Sequence, residues 1–289
     1  MSRGPKLPPK AVLLVSIAAV STASILIRMS SAHPLAIAAY RMIISTLILA
    51  PFLILSGEPH GLRDLDRNVL LKLIGAGFFL ALHFATWISS LSLTSVTSSV
   101  IFVHLDPVFV AFISHFILGE RITRRMLLGI ITAVSGASLI ALEDIGLGEG
   151  NLQGDLLSLI GALMLGLYIL SGRRLRQSLD LLTYVVPVYG TAATILTAGC
   201  LIAGVPFTYQ SREYILFTAI ALVPMIFGHT LYNWALRYLK ASIVSTSLLG
   251  EPVGASILAF LLLGEKPTPV MLLGALITLI GIYICIRSS

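Results

Sequence analysis

A chain of 289 residues that is 57 % apolar and 11 % charged lies outside the composition of water-soluble domains, where about half and about a quarter are usual. Its net charge of +6 could suit a polyanion, but the cations stand in short connections between apolar runs and form no nucleic-acid footprint. A soluble enzyme and a nucleic-acid-binding domain are both excluded, and the composition predicts an all-α protein that crosses a lipid bilayer many times.

In chain order, runs of about 20 apolar residues near 11–31, 34–55, 69–91, 96–117, 125–142, 154–172, 181–203, 213–236, 242–263 and 269–286 predict ten transmembrane helices. The first, basic and then apolar, imitates a secretory signal, but its match to the sixth predicts that it is kept as a helix. The second carries Arg41 about seven residues, roughly 10 Å, from its outer end. That cation has two readings: a head that snorkels to the interface, or a fixed charge for a substrate carboxylate or phosphate.

The third run places His83, Thr86, Trp87 and Ser90 at i, i+3, i+4 and i+7, one polar and aromatic stripe on an apolar helix. The fourth holds Phe102, His104, Asp106 and Pro107 and ends at Gly119, which suits a left-handed cap, while Thr123 can cap the fifth. Glu120, after that glycine, reads as a clamp on the turn. Gly129 and Gly136 share one face of the fifth run, as small residues do where membrane helices meet closely.

The sixth run contributes Tyr168, and the eighth a second stripe of His229, Tyr232 and Asn233. The ninth holds Glu251 and Pro252. Gly264, Glu265, Thr268 and Pro269 then repeat the turn pattern, and Gly274 and Gly281 repeat the glycine face in the tenth. Cys200 and Cys285 are isolated and read as packing residues, not as disulfide partners or metal ligands.

These repetitions have one period. A shift of 145 residues lays Pro107-Val108 on Pro252-Val253, Gly119-Glu120 on Gly264-Glu265, and Met126-Leu127-Leu128-Gly129 on Met271-Leu272-Leu273-Gly274. The chain therefore divides into five-helix units at 1–145 and 146–289. Fifteen of the nineteen cations fall on alternate connections and the two tails, which predicts that both termini are cytoplasmic. Because five is odd, the second unit is inverted, and the pair is related by an axis in the membrane plane.

Asp106 and Glu251 both lie about nine or ten residues into their helices, roughly 14 Å, near the bilayer midplane. Pro107 and Pro252 leave carbonyls without N–H partners, so each helix is predicted to kink beside its acid. Broken helices at matching places in inverted copies point to a central binding site. The acids then serve substrate binding or proton coupling; the alternative is a protonated carboxyl that pins helix packing. For each histidine the alternative is an interhelical hydrogen bond. The candidate binding residues are Arg41, His83, Trp87, Phe102, Asp106, Tyr168, His229, Asn233 and Glu251, with Pro107 and Pro252 as kinks.

Pro-Leu-Ala-Ile-Ala-Ala-Tyr-Arg at 34–41, Leu-Gly-Glu-Arg-Ile-Thr at 118–123, Gly-Asp-Leu-Leu-Ser-Leu at 154–159 and Leu-Gly-Glu-Lys-Pro-Thr at 263–268 occur in an order that resembles the EamA-type transporters of the drug/metabolite transporter superfamily. The resemblance implies ten helices and a central cavity lined mainly by the first, third, fourth, sixth, eighth and ninth. It also implies export or exchange of small metabolites such as amino acids. Arg41, Pro107, Glu120, Glu251, Pro252 and Glu265 fall on positions of that pattern, whereas Asp106 departs from it.

The sequence is thus read as a multi-pass cell-membrane secondary transporter, a monomer or homodimer. Its partners are a small-molecule substrate, the lipid bilayer and, as a candidate coupling ion, the proton. No cofactor, metal or nucleotide site is expected, since no Gly-x-x-x-x-Gly-Lys-Ser/Thr loop occurs. Two rivals stand beside it: an intramembrane enzyme acting on lipid, with His104 and Asp106 or His83 as an acid–base pair, and a pore or sensor.

Overall fold

Pro9 opens the first helix where its missing N–H costs nothing, and the apolar residues after it carry α1 through Pro9–Val20. The computed structural model describes residues 7–56, 65–90, 93–94, 96–143, 152–263 and 267–288. At Ser21 and Thr22 the helix breaks: the two hydroxyls donate to the Ile17 and Ala19 carbonyls, 2.8 and 2.7 Å, before α2 (Ala23–Arg28) resumes. His33 caps α3 (Pro34–Leu55), its Nδ1 accepting from the Leu35 N–H at 3.2 Å.

The chain continues through α4 (Arg67–Ser90), α5 (Val96–Val103), α6 (Asp106–Ile117), α7 (Arg124–Glu143), α8 (Leu152–Leu175) and α9 (Leu181–Ile202). Next come α10 (Ser211–Ile220), a π-helical stretch at Ala221–Thr230, α11 (Leu231–Ala235), α12 (Ala241–Leu248), α13 (Gly250–Leu263) and α14 (Pro269–Arg287). No strand occurs among the described residues.

Among the described residues eight runs are long and apolar enough to cross a membrane: α3, α4, α8, α9, α14, Pro9–Ile27, Ser211–Ala235 and Ala241–Leu262. Ile101–Ile117 is a shorter apolar run. With α7, it occupies the places of the other two predicted spans. Phe112, Phe116, Leu261, Leu272 and Leu279 are exposed around the outside, as expected of side chains solvated by lipid instead of water.

The caps follow the sequence. Gly119 takes φ +66°, and the Glu120 N–H donates back to the Ser114 carbonyl at 3.2 Å, closing α6. Thr123 accepts from the Met126 N–H at 3.1 Å, and Thr268 from that of Met271 at 3.2 Å, so α7 and α14 start alike. The expectations for Gly264 and Glu265 lie outside the described residues.

The predicted glycine faces meet. A Cβ placed on Gly136 would lie 2.4 Å from the Thr278 nitrogen, and one on Gly281 2.3 Å from the Ala133 nitrogen. A Cβ on Gly129 would lie 2.7 Å from the Cys285 nitrogen and one on Gly274 2.9 Å from the Gly136 oxygen, so α7 and α14 run together in close backbone contact. On the other side of the bundle α3, α4, α8 and α9 enclose the largest buried core, with Phe84, Tyr168, Tyr184, Tyr189 and Tyr232 inside it.

Candidate functional site

Two interrupted helices place the acids. Between α5 and α6 the helix gives way at His104 and Leu105, and Asp106 and Pro107 open the second piece. Between α12 and α13 it gives way at Leu249, two residues before Glu251 and three before Pro252. Each break sits beside its proline, as expected where a helix loses an N–H donor. The stretch 221–230 adds an unforeseen irregularity. Pro224 has no N–H for the ladder, and side chains of other helices bond carbonyls of this stretch: Ser45 Oγ donates to Ala221 at 3.3 Å, and Ser16 Oγ to Gly228 at 2.8 Å.

Around these irregular turns lies a cavity. Among its lining residues are Arg41, His83, Phe84, Trp87, His104, Asp106, Pro224, His229, Tyr232 and Glu251. Arg41 is 2 % exposed, so its head stays inside the bundle and the snorkelling reading fails. The guanidinium lies 4.2 Å from the centre of the Phe84 ring, and Nη2 is 3.5 Å from Met225 Sδ. Its Nε and the indole Nε1 of Trp87 are buried without hydrogen-bond acceptors among the described residues. Arg41, Asp106 and Glu251 line the same cavity.

Six of the nine candidates thus share one cavity: Arg41, His83, Trp87, Asp106, His229 and Glu251. Asp106, 3 % exposed, accepts from the Ser245 hydroxyl of α12, which ties the two broken helices together. His83 lines the cavity while its Nδ1 pairs with the Gly161 carbonyl of α8 at 2.9 Å, an interhelical hydrogen bond. Thr86 and Ser90, from the same stripe, satisfy themselves on carbonyls of their own turn at 2.8 and 2.7 Å.

Tyr168 and Asn233 stand one layer back. Asn233 Nδ2 donates to the Tyr168 hydroxyl at 2.7 Å, while Tyr232 and His229 Nδ1 pair at 2.6 Å in front of them. Phe102 is half-buried and does not line the cavity. Phe84 and Pro224 line it without having been singled out. Phe84 follows His83 but is apolar, and Pro224 was hidden within a run read for length alone.

A second set of charges closes one end of the bundle. Glu120 Oε1 meets Arg173 Nε at 2.8 Å, and Oε2 accepts from the Ala241 N–H at 3.2 Å. Arg173 Nη1 also reaches the Leu236 and Arg237 carbonyls at 2.9 and 3.1 Å. Nearby, Arg176 is buried, donating to the Asn233 and Leu179 carbonyls. Burial lowers its pKa to about 10, which leaves it charged at neutral pH.

An all-helical bundle with many apolar spans and a polar cavity at interrupted helices defines a multi-pass membrane transporter. The profile of the EamA-like transporter family matches residues 9–142 and again 152–287, and the chain belongs to that family. An "Uncharacterized transporter" of Archaeoglobus fulgidus is 26 % identical over 259 residues, covering 88 % of this chain and 89 % of its own. The "Uncharacterized transporter YoaV" of Bacillus subtilis is 27 % identical over 220 residues, covering 74 % and 73 %. One solved crystal structure superposes with a TM-score of 0.81 over 97 % of both chains, at 17 % identity, a likeness of fold.

Proposed function

We propose that this chain is a secondary, non-ATP transporter of small metabolites in the cell membrane, an exporter or exchanger of amino acids or related compounds. One observation carries the reading: Arg41, Asp106 and Glu251, a cation and two acids, converge on a single cavity inside an apolar bundle. Charges at such depth cost several kcal/mol and persist where they have work to do. The orphaned N–H groups of Arg41 and Trp87 suit a substrate carboxylate, the acids an ammonium group or a proton, and the aromatic walls an apolar side chain.

In this reading α5–α6 and α7 complete ten spans, arranged as inverted units at 1–145 and 146–289 with both termini cytoplasmic. The matched caps, the paired glycine faces and the two profile matches support the duplication. The units rock about the cavity and expose it to each face in turn. The chain acts as a monomer or homodimer.

Counterflow in proteoliposomes against a panel of amino acids, drugs and sugar phosphates tests the proposal. Saturable exchange of a zwitterionic metabolite is expected. Flux without saturation, or binding without flux, would replace the transporter by a pore or a sensor.

A further inference from the structure

A second concavity lies away from the cavity, on the flank of the bundle between α4, α6 and α8. At one end stand Lys72 and Arg174, exposed side chains from different helices that share the same hollow. Lys72 lies five residues into α4 and Arg174 one residue before the end of α8, so both sit near the bundle end that holds the Glu120–Arg173 clamp. Further along α4 the hollow becomes apolar, with Phe79 on one wall and Ile113, Ile117 and Leu167 on the others.

Its floor passes Gly75, where an added Cβ would meet nothing within 4 Å. About 260 Å³ is open there, room for a run of methylene groups.

Cations at this end of a membrane protein are ordinarily topology signals, spread over connections. These two differ in place. They face one groove, and among the described residues neither has an ion pair or hydrogen bond, whereas neighbouring Arg173 is fully engaged. The 145-residue shift replaces Lys72 by Phe217 and Arg174 by Met29, so the paired charge belongs to one copy alone.

A positive mouth above an apolar trough complements an amphiphile with an anionic head. We infer that this groove holds one anionic phospholipid, its phosphate between Lys72 and Arg174 and an acyl chain lying over Gly75. Its assignment to the cytoplasmic leaflet rests on the topology proposed above, but the binding does not.

Native mass spectrometry of the delipidated full chain, titrated with phosphatidylglycerol or with phosphatidylcholine of the same chains, tests this without any need for turnover. One phosphatidylglycerol is expected to be held about thirty-fold more tightly, the preference two surface cations supply. The double variant Lys72→Gln/Arg174→Gln is expected to lose that preference. Gly75→Leu, which fills the trough and keeps both charges, is expected to weaken retention. Arg124→Gln/Arg125→Gln, which removes two cations outside the groove, is expected to leave it unchanged. Equal retention by wild type and the Lys72/Arg174 double variant overturns the site. So does equal loss in the Arg124/Arg125 double variant, or displacement of the lipid by inorganic phosphate at matching concentration. Failure of the transport reading would leave each of these outcomes intact.

Discussion

The two charged clusters of this bundle are built from the same residue types and behave differently. At the bundle end, Glu120 has Arg173 on one oxygen and the Ala241 N–H on the other, and Arg173 has two carbonyls besides. Inside, Arg41 has a ring face, a thioether and an orphaned Nε, with Glu251 on the lining of the same cavity. A saturated cluster holds helices in place, and an unsaturated one keeps capacity for something that arrives. In a low-dielectric interior that spare capacity is costly, which is the ground on which the cavity is proposed as the site.

This contrast can be broken first at Arg41. Arg41→Gln is expected to lower counterflow at least about 100-fold, the loss of a buried charged contact to substrate, while the protein still folds. Near-normal transport would move the function elsewhere. Asp106→Asn comes next, with an expected change of about tenfold in transport or a displaced pH profile, since it removes one proton site from the cavity and keeps the shape. Uptake kinetics identical across pH would take Asp106 out of the mechanism.

Glu120→Gln is expected to lower stability by about 1 kcal/mol, read as the unfolding midpoint in detergent, with substrate affinity unchanged. A shift in affinity instead would erase the distinction between the clusters. The smallest effect is expected at Arg237, whose ion pair with Asp180 is 3.1 Å long and solvent-exposed. Arg237→Gln is expected to move the midpoint by about 0.5 kcal/mol or less.

Much of this arrangement could be read from the chain because it depends on local chemistry. Pro107 and Pro252 break their helices wherever those helices pack, and Thr123 and Thr268 cap the turn that follows them. The glycine faces on α7 and α14 needed only a helical period. Helix rotation was harder. Arg41 could point to lipid or inward, and nothing in its own segment chooses; Phe84 and Met225, from distant segments, receive it.

Tyr168 and Asn233 stand behind the cavity wall for the same reason, since a stripe shows which residues share a face but not how deep the next helix lies. The break at Ser21 and Thr22 and the widened turns around Pro224 depend on hydroxyls reaching carbonyls, which hydropathy does not register.

The seam between α7 and α14 constrains how such a molecule can move. Backbone meets backbone at Gly129, Gly136, Gly274 and Gly281, where an added Cβ would lie within 3 Å of atoms of the opposite helix. In the proposed transport cycle, the movement that exposes the cavity to each face in turn is expected to swing around that pillar and leave it whole.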